Sequence, residues 1–333
     1  MSRTGTCGNR NCAILERFVG NRSNFAWSTH ILGALRATDC AQLLALGAIW
    51  GSSYPFMRVA TRELSPPALV ATRLVFATVF FLPWLLKRER IVTIRARWKA
   101  LLLLSAMNSA VPFMLLAYCT QQLSGSVAAI INATVPFFAA IVAWAWLKDK
   151  PRSVQWWGLV VGFAGVVVLV YPKLQSGSPS SALAVGAGLT AALLYAISAN
   201  FTKKVLAEVE PMTIAVAGTM FATLLALPIG LATLPAKMPS ATALAAAATL
   251  GVLCTAIAYI IFYRLFASIG PTKAVTVTFL IPLFSVIWGV LFIDERVTWN
   301  LAAGGGLILG GMVLTTGLYS LLRSPEAPAV GDR

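Results

Sequence analysis

The chain carries little charge and very little acid. Of its 333 residues 11% are charged, eleven are Asp or Glu, and one is a histidine. The acids (Glu16, Asp39, Glu63, Glu89, Asp149, Glu208, Glu210, Asp294, Glu295, Glu326 and Asp332) all fall in tails, loops or the ends of apolar segments, and His30 precedes the first of those segments. A buried Asp/Glu/His proton relay is therefore missing. So are the groups that a membrane-embedded hydrolase or metalloenzyme needs, and no catalytic residue, metal or cofactor is expected. The five cysteines (Cys7, Cys12, Cys40, Cys119, Cys254) include no CxxC. Three lie in or beside apolar segments, where a thiol behaves as a small hydrophobe, so no disulfide framework follows. The net charge of +15 raises the question of nucleic acid. The basic residues sit in short patches between apolar runs and not along one recognition surface, which argues against such a partner.

What the chain has in quantity is apolar: 58% of its residues are hydrophobic and the mean hydropathy is +0.80. That places it in a lipid bilayer. Ten apolar stretches are long enough to cross about 30 Å of hydrocarbon. They cover 40–57, 68–86, 100–119, 123–147, 153–172, 181–202, 211–234, 240–263, 274–293 and 297–322. Helices are expected, since Pro and Gly recur inside the runs and no ten-residue alternation suits a barrel strand. With the N-terminus in the cytoplasm, twenty Lys and Arg fall inside and five outside (Arg58, Arg62, Lys173, Lys237, Arg296), while Arg73 is left within a span. The positive-inside rule then puts both termini in the cytoplasm.

One phrase occurs twice. VPFFAAIVAWAWLKDK (Val135–Lys150) returns as IPLFSVIWGVLFIDER (Ile281–Arg296), so that Pro136, Phe138 and Asp149 are answered 146 positions later by Pro282, Phe284 and Glu295. Gly158 and Gly165 recur as Gly304 and Gly311, and ELSP at Glu63–Pro66 as EVEP at Glu208–Pro211. Each copy holds five spans, an odd number, so the second must enter the membrane upside down. The expected fold class is an all-α integral membrane protein whose ten transmembrane helices form two inverted five-helix repeats. The repeats cover 40–172 and 182–322, joined by the Ser/Gly/Pro-rich segment 173–181. A tail over 1–39, expected to be disordered and cytoplasmic, and a short tail over 323–333 complete the chain. The two thiols of CGNRNC in the first tail lack the further ligands of a metal site, and Glu16 and Arg17 interrupt any signal-peptide core.

AIWGSSYPFMRVA in the first span, the proline after the short outer loop, the arginine in the second span and the ending VPFFAAIVAWAWLKDKP together resemble the EamA-type, ten-helix transporters of the drug/metabolite transporter superfamily. The resemblance runs over about 40–322. It implies a bacterial inner-membrane carrier, often an exporter of amino acids or other small metabolites, and does not set the substrate. A drug or sugar-metabolite exporter of the same superfamily is the alternative. Composition alone also leaves open a scaffold or, less readily, a membrane-embedded enzyme. The partners expected are a small-molecule substrate and the lipid bilayer, with homo-oligomerisation left open.

The residues give their own pointers to a pathway. Pro136 and Pro282 each remove a backbone bond to the carbonyl four residues earlier, on Asn132 and Thr278, near the middle of their spans. Interrupted helices that meet at a repeat interface are where inverted-repeat carriers bind substrate; a kink that only fits neighbouring helices is the other reading. Trp50, Tyr54, Asn108, Tyr195, Ser198, Asn200 and Tyr259 are further candidates to line the cavity, with Trp50 and Tyr195 at matching repeat positions. Tyr118, Tyr263 and Trp144 read instead as an interfacial belt. Gly158 and Gly162, then Gly306 and Gly310, read as small-xxx-small packing steps. Arg73 lies roughly 9 Å inside the outer end of its span. Either it snorkels to the interface, or it faces the pathway and meets an anionic group such as a carboxylate. The second repeat has Gly218 there.

Overall fold

In the computed structural model of the chain, residues 36–175, 178–274 and 276–316 are described; residues 1–35, 176–177, 275 and 317–333 and the expectations placed on them lie outside that range. Every regular element among the described residues is helical. We number the ten rods α1 (Ala37–Ala60), α2 (Pro66–Leu85), α3 (Arg88–Gln122), α4 (Gly125–Leu147), α5 (Ser153–Gln175), α6 (Pro179–Val205), α7 (Pro211–Ala232), α8 (Ala241–Ala274), α9 (Val277–Ile293) and α10 (Trp299–Thr316). Eight of them are long and apolar enough to cross a membrane. The ninth, α9, is apolar but has only 17 residues. In α1 the run Gly51-Ser52-Ser53-Tyr54-Pro55 dilutes the apolar character of its 24 residues. Large apolar side chains such as Val79, Leu291 and Phe292 face outward, as a lipid-facing surface demands.

Several boundaries differ from the hydropathy reading, and each has a physical reason. The basic segment 87–99 is not a loop: α3 starts at Arg88 and bends at Arg97, whose φ/ψ of −116/18 is not helical. The expected inner loop 264–273 continues α8 through a break at Gly270, where φ is +81, a value that glycine adopts without Cβ strain. The join is shorter than 173–181, because α5 runs to Gln175 and α6 starts at Pro179. Asp39 is not in a tail; it lies buried in the first turn of α1, its Oδ1 accepting from the Ser268 hydroxyl at 2.9 Å. Hydropathy windows register polarity, and a polar helix looks to them like a loop.

The inverted duplication is visible in bonds between equivalent residues. Thr78 of α2 and Thr223 of α7, 145 positions apart, share a hydroxyl hydrogen bond of 2.7 Å. A pseudo-twofold axis passes between them, since a residue meets its own equivalent only there. The α5–α10 seam obeys the same symmetry. A Cβ added at Gly158 would stand 2.7 Å from the Gly311 carbonyl oxygen, and one at Gly165 would stand 2.8 Å from that of Gly304. Because 158 pairs with 311 and 165 with 304, the two helices run antiparallel and their backbones touch. Gly306 and Gly310, named above as packing steps, meet nothing within 4 Å and are exposed. The interface face repeats every seven residues, two turns, and 306 and 310 fall off it.

Each repeat ends its fourth span with the same cap. Lys148 and Asp294 have φ of 60° and 52°, in the left-handed region. The next N–H bonds back six residues, Asp149 to Ala143 at 3.3 Å and Glu295 to Gly289 at 3.0 Å. The interiors of these spans differ. Helix α4 is interrupted: it ends at Asn132 and restarts at Val135, with Pro136 in the first turn of the second piece, where its missing N–H costs nothing. Pro282 sits inside an uninterrupted α9. The expectation of two matched breaks is corrected to one.

At one end of the bundle Glu63 accepts from Ser240 N and Oγ, both at 2.6 Å, so the α1–α2 loop caps α8. At the other end Arg90 donates to both carboxylate oxygens of Glu210, at 2.9 and 3.1 Å, ahead of α7. Those bonds from Arg90 hold the Glu210 carboxyl below the usual range. Its contribution to stability is therefore present above the unfolded carboxylate pKa and fades as pH falls through the lowered one.

Two outcomes test this architecture. Gly311→Leu should destabilise the purified protein by about 3 kcal/mol or prevent its insertion, whereas Gly306→Leu should stay within about 0.5 kcal/mol; thermal unfolding in detergent compares them. Cysteines placed at Lys173 and Lys237 should be labelled from one face of the membrane and those at Lys99 and Lys204 from the other. Labelling of positions 99 and 204 from opposite faces would overturn the inverted repeat.

Candidate functional site

Two helices widen near the middle of the bundle. Residues Ala106–Ala110 in α3 and Val252–Ile257 in α8 each form a π-helical turn, 146 positions apart. A π turn inserts one extra residue and displaces the side chains around it, and such turns concentrate at functional positions. The one in α3 offers Asn108 and Ser109; the one in α8 offers Cys254 and Thr255. Thr255 Oγ1 bonds back to the Leu250 carbonyl at 2.8 Å, over the widened five-residue step. Gly251, just before the turn, lets α8 press against α2 at Phe76, 2.7 Å from its missing Cβ.

Arg73, the eighth residue of α2, points into this centre. It is 5% exposed, so the snorkelling reading does not describe it. Its Nε donates to Thr255 Oγ1 at 2.9 Å, and its guanidinium carbon lies 3.9 Å from the centre of the Phe113 ring. The cation–π contact is worth about 1–2 kcal/mol when desolvated. Cys254, Tyr195, Tyr259 and Tyr54 are its electrostatic neighbours. No ion pair to Arg73 occurs among the described residues, and one of its five donors is bonded. At the equivalent position Gly218 leaves open space within 4 Å.

The tyrosines around it come from three helices, α1, α6 and α8. Tyr54 on α1 is buried, with Asn132 beside its hydroxyl. Asn132 Oδ1 is itself buried and accepts no hydrogen bond among the described residues, and so are Ser53 Oγ and Ser285 Oγ without a partner. Tyr259 on α8 reaches Ser109 and Asn108 of α3, and Asn108 Oδ1 accepts from Ser198 of α6 at 3.0 Å. Tyr195 and Tyr259 are each half-buried. Tyr263, read above as part of the interfacial belt, belongs with them: its ring centre is 6.2 Å from that of Tyr259. Trp144 is exposed and meets Trp156 edge-on, a geometry that suits a belt; Tyr118 is half-buried against the main core.

Other expected residues lie elsewhere. Trp50 packs on Phe262 at 5.4 Å in the apolar seam of α1 and α8. Asn200 ties α6 to α4 by donating to the Ala139 carbonyl at 3.3 Å, a packing bond. Pro136 shapes the break below Asn132, and Thr278 and Pro282 lie on α9. Phe113, Cys254, Thr255 and Ser109 were missed by the sequence reading. Pro112 follows the α3 turn and could have flagged it, because it frees the Asn108 carbonyl four residues back. The α8 turn, followed by Ala258, has no such marker.

The arrangement is thus an aromatic and hydroxyl-bearing cluster around one guanidinium, drawn from helices of both repeats. The model of the EamA-like transporter family matches the chain twice, over residues 40–171 and 182–317. An uncharacterized transporter of Archaeoglobus fulgidus is 26% identical over 278 residues, covering 80% of this chain and 93% of its own. The uncharacterized transporter YvbV of Bacillus subtilis is 25% identical, over 89% and 97%. The uncharacterized inner membrane transporter YedA of Escherichia coli is 26% identical, over 87% and 95%. A solved structure titled only as the crystal structure of a protein superposes with a TM-score of 0.58 at 15% identity, over 85% of this chain and 98% of that one, a likeness of fold alone. With both halves matched, the chain belongs to the EamA-like transporter family.

Proposed function

We propose that this carrier exports amino acids or closely related small metabolites across a bacterial inner membrane by alternating access, and that Arg73 receives the substrate carboxylate. The observation that carries the reading is the buried guanidinium with no anionic partner among the described residues. An arginine at the centre of a span costs about 3 kcal/mol on insertion scales, a cost that an apolar residue would avoid. What the position offers in exchange is a planar fork of donors that matches a carboxylate. Around it, tyrosine faces suit an ammonium or an apolar side chain, and the unpartnered Asn132 Oδ1 is an acceptor for an N–H. A polyanion would need several cations, and among the described residues the cluster supplies one. The cytoplasmic placement of both termini rests on the distribution of Lys and Arg.

In liposomes the purified protein should pass its amino acid or analogue without an imposed pH gradient, and cells that express it should resist toxic analogues. Arg73→Ala should keep the protein folded and lower flux roughly tenfold to a hundredfold, the worth of hydrogen bonds to a charged group. Arg73→Lys should fall between, because it keeps the charge and loses the fork. Normal flux in Arg73→Ala would remove the carboxylate role. If a broad amino acid panel shows no movement with the protein inserted, the drug or sugar-metabolite alternative becomes the better reading.

A further inference from the structure

One corner of the bundle, where α4 ends, α5 begins and α6 ends, gathers tryptophan and positive charge. Trp144 and Trp156 meet edge-on with ring centres 5.3 Å apart, which ties the start of α5 to the end of α4. Trp146 lies 6.4 Å from Phe201, and the Lys204 ammonium stands 4.9 Å from the centre of the Trp146 ring, which ties the end of α6 to the same place. Trp144, Trp146, Trp156 and Trp157 are all exposed. So are the cations Lys148, Lys150, Arg152, Lys203 and Lys204, and none of the five makes an ion pair among the described residues. Asp149 shares the corner and is exposed. Glu208 and Glu210, which follow α6, are turned to α3, with Arg97 at 3.9 Å and Arg90 at 2.9 Å.

The inverted repeat shows which of these features the fold requires. Where α9 ends and α10 begins, the backbone repeats the corner, left-handed cap included. The four tryptophans are replaced there by Val290, Phe292, Ala302 and Ala303. Lys148 is matched by Asp294 and Arg152 by Thr298, while Arg296 keeps the charge of Lys150. Asp149 is matched by Glu295, which is turned inward: its Oε1 accepts from Gly125 N at 2.6 Å, and Gly289 makes room for the carboxylate. At the 145-residue offset Lys204 answers to Val59 and Lys203 to Arg58, whose guanidinium is occupied by the Thr120 and Gln121 carbonyls at 2.8 and 2.6 Å. The same frame is therefore built without the tryptophans and with fewer free cations. Orientation in the membrane asks only for Lys and Arg in short loops. It does not ask that two loops converge, nor that a lysine occupy φ of 60° at Lys148, where glycine or asparagine takes less strain.

We infer that this corner binds an anionic phospholipid, its phosphodiester held by Lys148, Lys203 and Lys204 and its glycerol and upper chains lying against the exposed tryptophans. Basic pockets between spans recognise anionic headgroups, and tryptophan settles at headgroup level. The Trp146 ring restrains the Lys204 ammonium, so less freedom is lost when the phosphate arrives. A zwitterionic lipid brings its own cation and gains less from the surplus charge. A soluble phosphate has no chains to cover the rings. The site stands apart from Arg73 and does not depend on the substrate.

The test acetylates the lysines of the purified full chain in nanodiscs of phosphatidylcholine alone, or of equal parts phosphatidylcholine and phosphatidylglycerol, and reads each lysine by mass spectrometry. Phosphatidylglycerol should slow modification of Lys148, Lys203 and Lys204 roughly tenfold, and that of Lys237 at the other end by less than about twofold. In detergent, native mass spectrometry should find phosphatidylglycerol retained over phosphatidylcholine. A Lys148→Gln/Lys203→Gln/Lys204→Gln variant should retain it roughly a hundredfold less well, the combined worth of three lysines at an anionic headgroup, and arginine at the same three positions should restore it. Equal protection of Lys237 would reduce the effect to surface potential and overturn the site. Equal retention of the two lipids, or equal protection by inorganic phosphate in phosphatidylcholine discs, would overturn it as well. The acetylation arm uses the unaltered chain, so it decides the matter even if the triple variant does not fold or insert.

Discussion

In hydrocarbon a backbone amide has no water to fall back on, so each span must satisfy its own hydrogen bonds as a helix. Departures are tolerated where protein surrounds the freed groups. In this chain they gather near the centre of the bundle: the π turns Ala106–Ala110 and Val252–Ile257 and the break after Asn132. Each relaxes the ladder where polar side chains are needed, and Thr255 Oγ1 takes up a carbonyl that the α8 turn loosens. The polar cluster around Arg73 is therefore built from the places where the membrane's main constraint is locally relaxed.

The rest of the bundle makes that relaxation affordable to the fold. The α5–α10 seam brings backbones together through Gly158, Gly165, Gly304 and Gly311, which suits an environment where lipid tails are as apolar as leucine and close van der Waals contact replaces the hydrophobic effect. The Thr78–Thr223 bond marks the axis that relates the halves. On this symmetric frame the side chains are asymmetric. At equivalent positions of the two repeats, Arg73 is matched by Gly218, Glu295 by Asp149, and Gly289 by Ala143.

Much of the frame was legible in the residues. Ten spans follow from hydropathy, because the cost of polar groups in lipid forces long apolar runs. The inverted duplication follows from a repeated phrase and an odd span count. Site residues were less legible. Arg73 stood out as the one charge within a span, but Tyr263 looked like a belt residue. Gly306 and Gly310 matched a spacing rule that says nothing about which face meets a neighbour. The polar helical starts and ends, Arg88–Arg97 and the stretch of α8 to Ala274, were hidden because a hydropathy window cannot tell a polar helix from a loop.

What the sequence determined by itself is the number of spans, their duplication, and the scarcity of buried charge, since all three are set by composition along a local stretch against the bilayer. What the tertiary structure alone decided is who meets whom. Arg73 finds Thr255 across 182 positions, and Glu295 finds Gly125 across 170. The physical reason is that these pairs are chosen by how two inverted repeats pack about an axis, and by a π turn that rotates a few side chains inward. Neither leaves a local signature in the order of residues.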